Sequence, residues 1–318
     1  MNQGEKKGVL FSVVVPTFDR PTHVAGCLEA LAAQTLPKSD FEVVIVNDGG
    51  DCSLERVAGA FADRLRIKML WQPNGGCAPA RQFGIENAEG PYLAFTDDDC
   101  RPAPDWLIRI KTALEHAPGC AVAGRTINGA VDNVYARVTQ SIVETLMASG
   151  YDASGHVRYA PTCNLAFPTD SFFAIGGLDR SWRISGGEDR DLCERWIRAG
   201  LRLRYESSAE VSHYHYLTLR GFLRQHFNYG RGAWRYYTHA CRAPRFESLR
   251  LYPSLLRAPF RQQPLRKALP ACGLVILAQF STGAGLITAA IQNWCGCPTD
   301  DSSKNSADVR TNPAKRAS

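Results

Sequence analysis

At 318 residues, with 45% hydrophobic and 21% charged residues, the chain has enough apolar material for one large core plus an appendage, which excludes a disordered polymer. The net charge is +6. Arg and Lys concentrate over 195–267 while most acidic clusters come earlier, a bias that suits a nucleic acid, an anionic membrane surface or an anionic substrate. Eleven scattered cysteines without a CxxC pair argue against a structural zinc, and 1–8 carries no apolar signal stretch, so reduced thiols in a cytoplasm are expected.

The first third alternates apolar strands with amphipathic helices. Residues 10–15 form a β-branched run ended by Pro16, and a helix is expected over 21–34, with Val24, Leu28 and Leu31 on one face. A second strand, 41–46, ends at Asn47-Asp48-Gly49-Gly50. A helix over 54–65, a strand over 67–71, a loop at Asn74-Gly75-Gly76 and a helix over 79–88 follow. The strand 92–95 then runs into Thr96-Asp97-Asp98-Asp99-Cys100, which Arg101-Pro102 is expected to break.

That acidic segment is the most informative stretch of the chain. Adjacent carboxylates repel one another unless a cation sits among them. In an extended backbone alternate side chains share a face, so Asp97 and Asp99 are expected to point together, with Asp98 opposed. Two hard oxygen ligands at the carboxyl end of a strand suit Mg²⁺ or Mn²⁺ carrying a phosphorylated ligand; the alternative is a solvated acidic turn.

A helix over 106–116 and a strand over 121–123 complete a pattern that predicts an α/β fold, with a doubly wound, mostly parallel sheet. Ligands of such sheets lie beyond the carboxyl ends of the strands, where Thr17, Asp48 and Asp97, Asp98 and Asp99 all fall. Farther on, helices are expected over 138–147, 171–175 and 188–199, and strands over 164–167, 202–205 and 210–212. After Tyr216 the chain changes character. Residues 220–237 are rich in Arg and aromatics, and 268–291 contain no charge. An uncharged stretch of that length can cross a bilayer, which takes about 20 apolar residues; the alternatives are a buried helical hairpin and an interfacial helix. Membrane association is the favoured expectation, with a disordered tail over 299–318.

Several segments together resemble the family 2 glycosyltransferases. Ser12-Val13-Val14-Val15-Pro16-Thr17-Phe18-Asp19-Arg20 resembles that family's opening strand, and Val46-Asn47-Asp48-Gly49-Gly50 its second-strand motif. Asn74-Gly75-Gly76 through Ala80-Arg81-Gln82 is similar to its nucleotide-side loop and helix, and Phe95-Thr96-Asp97-Asp98-Asp99 to its metal motif. Gly176-Gly177-Leu178-Asp179 and Gly187-Glu188-Asp189-Arg190-Asp191-Leu192 resemble its acceptor-side motifs.

The resemblance implies a GT-A domain over 9–216, with a nucleotide-sugar half about 9–125 and an acceptor half about 126–216, followed by a helical region over 217–298. It implies an inverting transfer from a nucleotide-diphosphate sugar, a UDP-sugar by analogy through Asp48, to a glycan or lipid-linked hydroxyl, in cell-envelope polysaccharide or glycolipid synthesis at the inner face of the cell membrane. Donor-binding residues would be Pro16, Thr17, Asp48, Arg81, Asp97 and Asp98. Asp99 and Asp97 would hold Mn²⁺ or Mg²⁺, with a third ligand from His213 and His215, which alternate on a strand-like segment; His213 is the better match, and a structural histidine is the alternative. Asp189 would be the general base, with Asp191 and Glu188 as rivals, since all three are also first-turn acids that complement a helix dipole. Trp182, Gly187 and Glu188 would lie on the acceptor side, Trp182 either stacking on a sugar or packing in the core. Asn47 and Gln82 depart from the family's more usual Asp and Asn, which leaves the donor's base and sugar open. Two competing readings are a nucleotide-sugar-binding protein without transfer activity and a nucleic-acid-binding module built on 220–242. The favoured expectation is no nucleic-acid partner.

Overall fold

The computed structural model describes residues 8–50, 53–184, 186–239, 251–262 and 264–295. The strands are β1 Phe11–Thr17, β2 Phe41–Asp48, β3 Ile67–Gln72, β4 Tyr92–Phe95, β5 Cys100–Pro102, β6 Ala121–Asn128, β7 Leu165–Pro168 and β8 Leu203–His213, in one sheet of order β3-β2-β1-β4-β7-β6-β8-β5. β1 pairs in parallel with β2 and β4, and β2 with β3. The second half is mixed: β7 lies antiparallel between β4 and β6, while β6 and β8 run parallel. Every residue of β1 and β2 is buried, as continuous apolar runs covered on both faces require.

The two faces carry separate cores. Val13, Val15, Val43 and Ile45 pack on helix α1 (Pro21–Ala32) and helix α4 (Trp106–His116) through Leu28, Leu31, Trp106 and Ile110. Their neighbours Val14, Val44 and Val46 point to the other side, against α3 (Cys77–Glu86) and α7 (Glu188–Arg198) through Ala80, Ile85, Leu192 and Trp196. α2 is Ser53–Gly59, shorter than the expected helix over 54–65, and α6 is Thr169–Ala174.

Pairing partners distant in sequence extended some elements. The two short strands expected over 202–205 and 210–212 are one strand, β8, because β6 runs beside both and absorbs a register shift between Gly124 and Arg125. Arg101 and Pro102 do not end the strand structure. They belong to β5, which pairs antiparallel with β8.

The C-terminal part is helical. α5 (Val134–Ala148), α8 (Leu219–His239), α9 (Leu251–Gln262) and α10 (Leu265–Trp294) pack around Val138, Ile142, Phe222, Leu255, Ala271 and Val275. The uncharged stretch 268–291 lies within α10, the helix among the described residues that is long and apolar enough to cross a membrane, and most of that helix is not buried. The expected tail over 299–318 lies outside the described residues. α10 crosses α8 at glycines: a Cβ on Gly230 would stand 1.9 Å from the Thr282 carbonyl oxygen, and one on Gly285 1.9 Å from that of Phe227. Gly283, two residues earlier, has nothing within 4 Å of a would-be Cβ. Gly285→Val is therefore expected to cost about 1–3 kcal/mol by overpacking, whereas Gly283→Ala should gain up to about 1 kcal/mol of helix propensity. Chemical denaturation of the two variants beside the parent checks this.

Candidate active site

The acidic segment leaves β4 as a turn and not as an extended strand. The Cys100 N–H donates to the Asp97 carbonyl at 3.1 Å, and the Tyr214 N–H donates to the Asp99 carbonyl at 2.8 Å, which stitches the turn to the end of β8. The expected alternation of Asp97 and Asp99 against Asp98 is therefore lost, and Asp98 and Asp99 share one cation. Arg20 Nη1 lies 3.0 Å from Asp98 and 3.2 Å from Asp99. Thr17 Oγ1 donates to Asp98 at 2.7 Å. Asp97 turns instead to Arg81, whose Nη2 stands 2.5 Å away. Burial raises the Asp98 carboxyl above its ordinary value, with Arg20 opposing.

Asp99 behaves in the opposite way. Burial works against its ionised form, yet His213 and His215 hold it well below the ordinary carboxylate range. His213 responds in kind: burial lowers it, Asp99 outweighs that, and it is pushed up to about 9. His213 Nε2 lies 3.1 Å from Asp99 Oδ1 and His215 Nδ1 3.3 Å from Asp99 Oδ2. Asp99 Oδ1 is nevertheless buried without an aligned hydrogen bond. A carboxylate oxygen and a ring nitrogen at this separation could both ligate a divalent cation once the imidazole gives up its proton. The donor atoms of Asp99, His213 and His215 lie within 4.8 Å of one another. A second group, Asp97, Cys100 and Cys163, is as compact, but its sulfur donors suit softer metals than Mn²⁺ or Mg²⁺. Asp97, expected beside Asp99 as a ligand, thus lies with Arg81, and His215 stands in the position it was expected to fill.

On the neighbouring strand end, both oxygens of Asp48 are engaged by the loop that follows β3. Oδ1 accepts from Gln72 Nε2 at 2.7 Å and from the Gly75 N–H at 2.8 Å, and Oδ2 accepts from the Gly76 N–H at 2.8 Å. Pro16, Thr17, Asp48 and Arg81 line the same cavity as the acidic turn. Arg81 is fully buried, and its Nε and Nη1 have no hydrogen-bond partner. Its charge is held against burial by Cys77, Asp97 and Glu188, and the two unpaired nitrogens leave donors free within the cavity lining.

The opposite wall is the start of α7. Gly186 and Gly187 precede it with φ of 124° and 110°, a conformation L side chains rarely adopt. The Gly186 N–H donates to Glu188 at 2.6 Å. Asp189 accepts from the Tyr159 hydroxyl at 2.9 Å and from the Arg190 N–H at 2.8 Å. Burial and the Asp189 charge push Glu188 up to about 7, and burial also raises Asp189. Asp191 is spent on Arg195 at 2.8 Å, whose guanidinium also donates to the Ile175 and Gly177 carbonyls. The rivalry among the three acids therefore narrows to Glu188 and Asp189, which both line the cavity. Trp182 is 2% exposed, with Arg235 over its ring at 4.6 Å and the backbone of Gly187 against its edge. It sits behind the site as a support.

The cavity has a volume of about 790 Å³ and brings together the acidic turn, both histidines, Arg81 and the first turn of α7. Arg20, His215 and Tyr159 complete it; Arg20 and Tyr159 were not among the expected site residues, and His215 was expected only behind His213. Arg20 carried a signal in its place just after β1, and His215 in its alternation with His213. Tyr159 carried none, lying in an irregular segment far from Asp189 in sequence.

A family model described as glycosyl transferase family 2 matches residues 12–176, and one described as the N-terminal domain of galactosyltransferase matches 146–220. Among curated proteins, the chain is 29% identical over 260 residues to a pre-mycofactocin glycosyltransferase of Mycobacterium tuberculosis, covering 78% of this chain and 50% of that one. The chain thus spans about half the length of the curated relatives it matches. Among solved structures, the mannosyltransferase PcManGT from Pyrobaculum calidifontis, in complex with GDP-Man and Mn²⁺, aligns with a TM-score of 0.62 at 18% identity, over 89% of this chain and 86% of that one. S. aureus TarS 1–349 in complex with UDP-GlcNAc aligns with a TM-score of 0.52 at 16% identity, over 91% and 93%. At these identities the likeness is one of fold.

Trp182 predicts its own test. Trp182→Ala is expected to cost about 3–5 kcal/mol, as large-to-small changes of a buried indole do. Arg235→Ala, which removes the stacked cation and its exposed hydrogen bonds to Ser181, should cost about 1–2 kcal/mol. Urea denaturation of both variants measures the difference.

Proposed function

Because the chain belongs to glycosyl transferase family 2, we propose that it transfers a sugar from a nucleotide-diphosphate sugar to a hydroxyl acceptor in a single inverting step that depends on a divalent cation. The observation that carries this reading is the cavity itself, which has a cation-fitting carboxylate–imidazole cluster on one wall and a raised carboxylate pair on the other. The donor's nucleotide lies along Pro16, Thr17 and Asp48. Asp48 retains accepting capacity for a base N–H, and its likeness to the uracil-contacting Asp of the family is what supports a UDP-sugar. Arg81 and Arg20 face the diphosphate, with Asp97 and Asp98 holding these two guanidiniums in position.

Asp99, His213 and His215 would hold Mn²⁺ or Mg²⁺, which when bound neutralises the charge that develops on the departing diphosphate. Asp189 takes the acceptor hydroxyl's proton as that oxygen attacks the anomeric carbon from the face opposite the leaving group. The Tyr159 hydroxyl fixes the Asp189 carboxylate, and burial raises its basicity. On the C-terminal side, the exposed apolar surface of α10 and the basic residues before it support work at the inner face of the cell membrane, on a cell-envelope glycan or glycolipid. The nucleic-acid reading loses support from α8, whose Arg235 and Tyr236 are spent on Ser181, Trp182 and Glu194. Residues 240–242 of that segment lie outside the described residues.

Calorimetric titration with UDP, GDP and dTDP, each with Mn²⁺ and with EDTA, tests the donor site. UDP is expected to bind with Mn²⁺ and not with EDTA, and Asp99→Ala to abolish that binding. Asp189→Asn should keep UDP binding and lose about 10²–10⁴-fold in transfer rate. No nucleotide binding under any condition would overturn the reading.

The carboxylate pair also predicts a pH profile. Transfer needs Asp189 ionised, so the rate falls on the acid side as Asp189, raised by burial above its ordinary value, takes up its proton. Glu188, pushed up to about 7, takes up its proton first, so Glu188→Gln should leave the acid limb of the pH–rate profile in place.

A further inference from the structure

The catalytic cavity does not close behind Asp189. It continues between α5, α8, α9 and α10, where its walls change from charged groups to Ile142, Val143, Leu146, Leu251, Leu255 and Leu286. His226 lies on that wall as a neutral ring, pushed down to about 4 by burial. A second cavity of about 540 Å³ opens between α9 and α10 and shares Tyr252, Leu255, Gln279 and Gly283 with the first. Its other walls are apolar without exception, and four of them, Leu256, Ile276, Phe280 and Ile287, are 39%, 46%, 73% and 58% exposed. The passage therefore leads from the carboxylates to an outer mouth as apolar as its interior.

A soluble polar ligand gains nothing from such a mouth, and a contiguous exposed apolar patch of this kind marks a lipid or partner contact. Polar groups line the first cavity. Arg224, exposed and without a partner among the described residues, borders it, and Gln225 Oε1 is buried there without a hydrogen bond. α9 and α10 contain no acidic residue, and the exposed Arg257, Arg261, Arg266 and Lys267 flank their junction. Charge and apolar surface thus agree on an amphiphile with an anionic head.

We propose that this passage is the binding site for a lipid acceptor. The acceptor has a hydrocarbon chain lodged between α9 and α10, a phosphate in its head group near Arg224, and the acceptor hydroxyl at Asp189. This deepens the transfer reading above and rests on it. In the step it serves, the acceptor oxygen bonds to the anomeric carbon as the bond from that carbon to the diphosphate oxygen breaks. The hydroxyl proton passes to Asp189, and the nucleoside diphosphate leaves with the electron pair. Volume is in keeping: both cavities fall within the roughly 300–1,000 Å³ of small-molecule sites.

The test uses the full chain and hexadecyl phosphate carrying a photoactivatable diazirine at its chain end, with labelled positions mapped by mass spectrometry. Labels are expected on the facing walls of α9 and α10, among them Leu255, Val275 and Gln279. Gly283→Trp, which fills the passage from a position with free space around it, should cut that labelling roughly tenfold. Ala284→Phe, at the exposed mouth, should do the same if the first variant folds poorly, and Gly273→Trp, outside the passage, should label as the parent does. UDP binding with Mn²⁺, read by calorimetry, should be unchanged in all three. Labelling that persists in both passage-filling variants, that falls only on the outer face of α10, or that is displaced by a soluble oligosaccharide or peptide overturns the proposal. Loss of UDP binding in the parent itself would instead overturn the transfer reading, and the two failures are thereby separate.

Discussion

Three consecutive carboxylates at the end of a buried strand set the terms for everything around them. Two unit charges about 4 Å apart repel by several kcal/mol at the effective dielectric of a protein interior, so Asp97, Asp98 and Asp99 stand together only with cations brought from elsewhere. Each draws on a different element. Arg81 comes from α3, Arg20 from the loop after β1, and His213 and His215 from the end of β8. The charge balance of one turn thereby fixes the relative position of both halves of the sheet. It also divides the labour among chemically identical side chains. Asp98, raised by burial, serves as an acceptor for Thr17 and Arg20, while Asp99 is kept ionised by two imidazoles.

Much of this was legible before any coordinates. β1, β2 and β4 announce themselves as apolar runs because burial on both faces leaves no room for polar alternation, and the polar residues at their carboxyl ends fall where a parallel sheet places its ligands. The place of Asp189 in the first turn of a helix was legible from the Gly186-Gly187 pair before it, whose φ values are positive in the structure. The failures share a cause. The orientation of Asp97, Asp98 and Asp99 depends on a turn closed by Cys100 and on a strand, β5, that exists only because β8 lies beside it. The single strand β8 likewise depends on β6. Tyr159 reaches Asp189 across the fold, and Trp182 is covered by Arg235 from α8. Periodicity along one segment carries no record of pairing with another.

The basic, aromatic segment after Tyr216 shows how composition misleads when its contacts are unknown. Its Arg and aromatic residues suggest a surface for an external anion. In the structure Arg235 lies on Trp182 and donates to Ser181, and Tyr236 reaches Glu194. α8 is a buttress, with one side against the loop at Gly186 and Gly187 and the other against α10. Its exposed Arg220 and Arg224 and the apolar surface of α10 are left to meet the outside.

The approach of α8 to the catalytic loop is close enough to have a mechanical meaning. A Cβ on Gly232 would stand 1.4 Å from the carbonyl oxygen of Gly186, so the two backbones touch without side chains between them. Gly186 leads directly into Glu188 and Asp189, and α8 is in turn seated on α10 through Gly230 and Gly285. The proposed base is thus linked through two backbone contacts to the long apolar helix α10. A tilt of α10 in its surroundings would press on the glycine pair that leads into Asp189. Cutting the chain after β8 to obtain a smaller catalytic unit would take away the bearing on which that carboxylate rests.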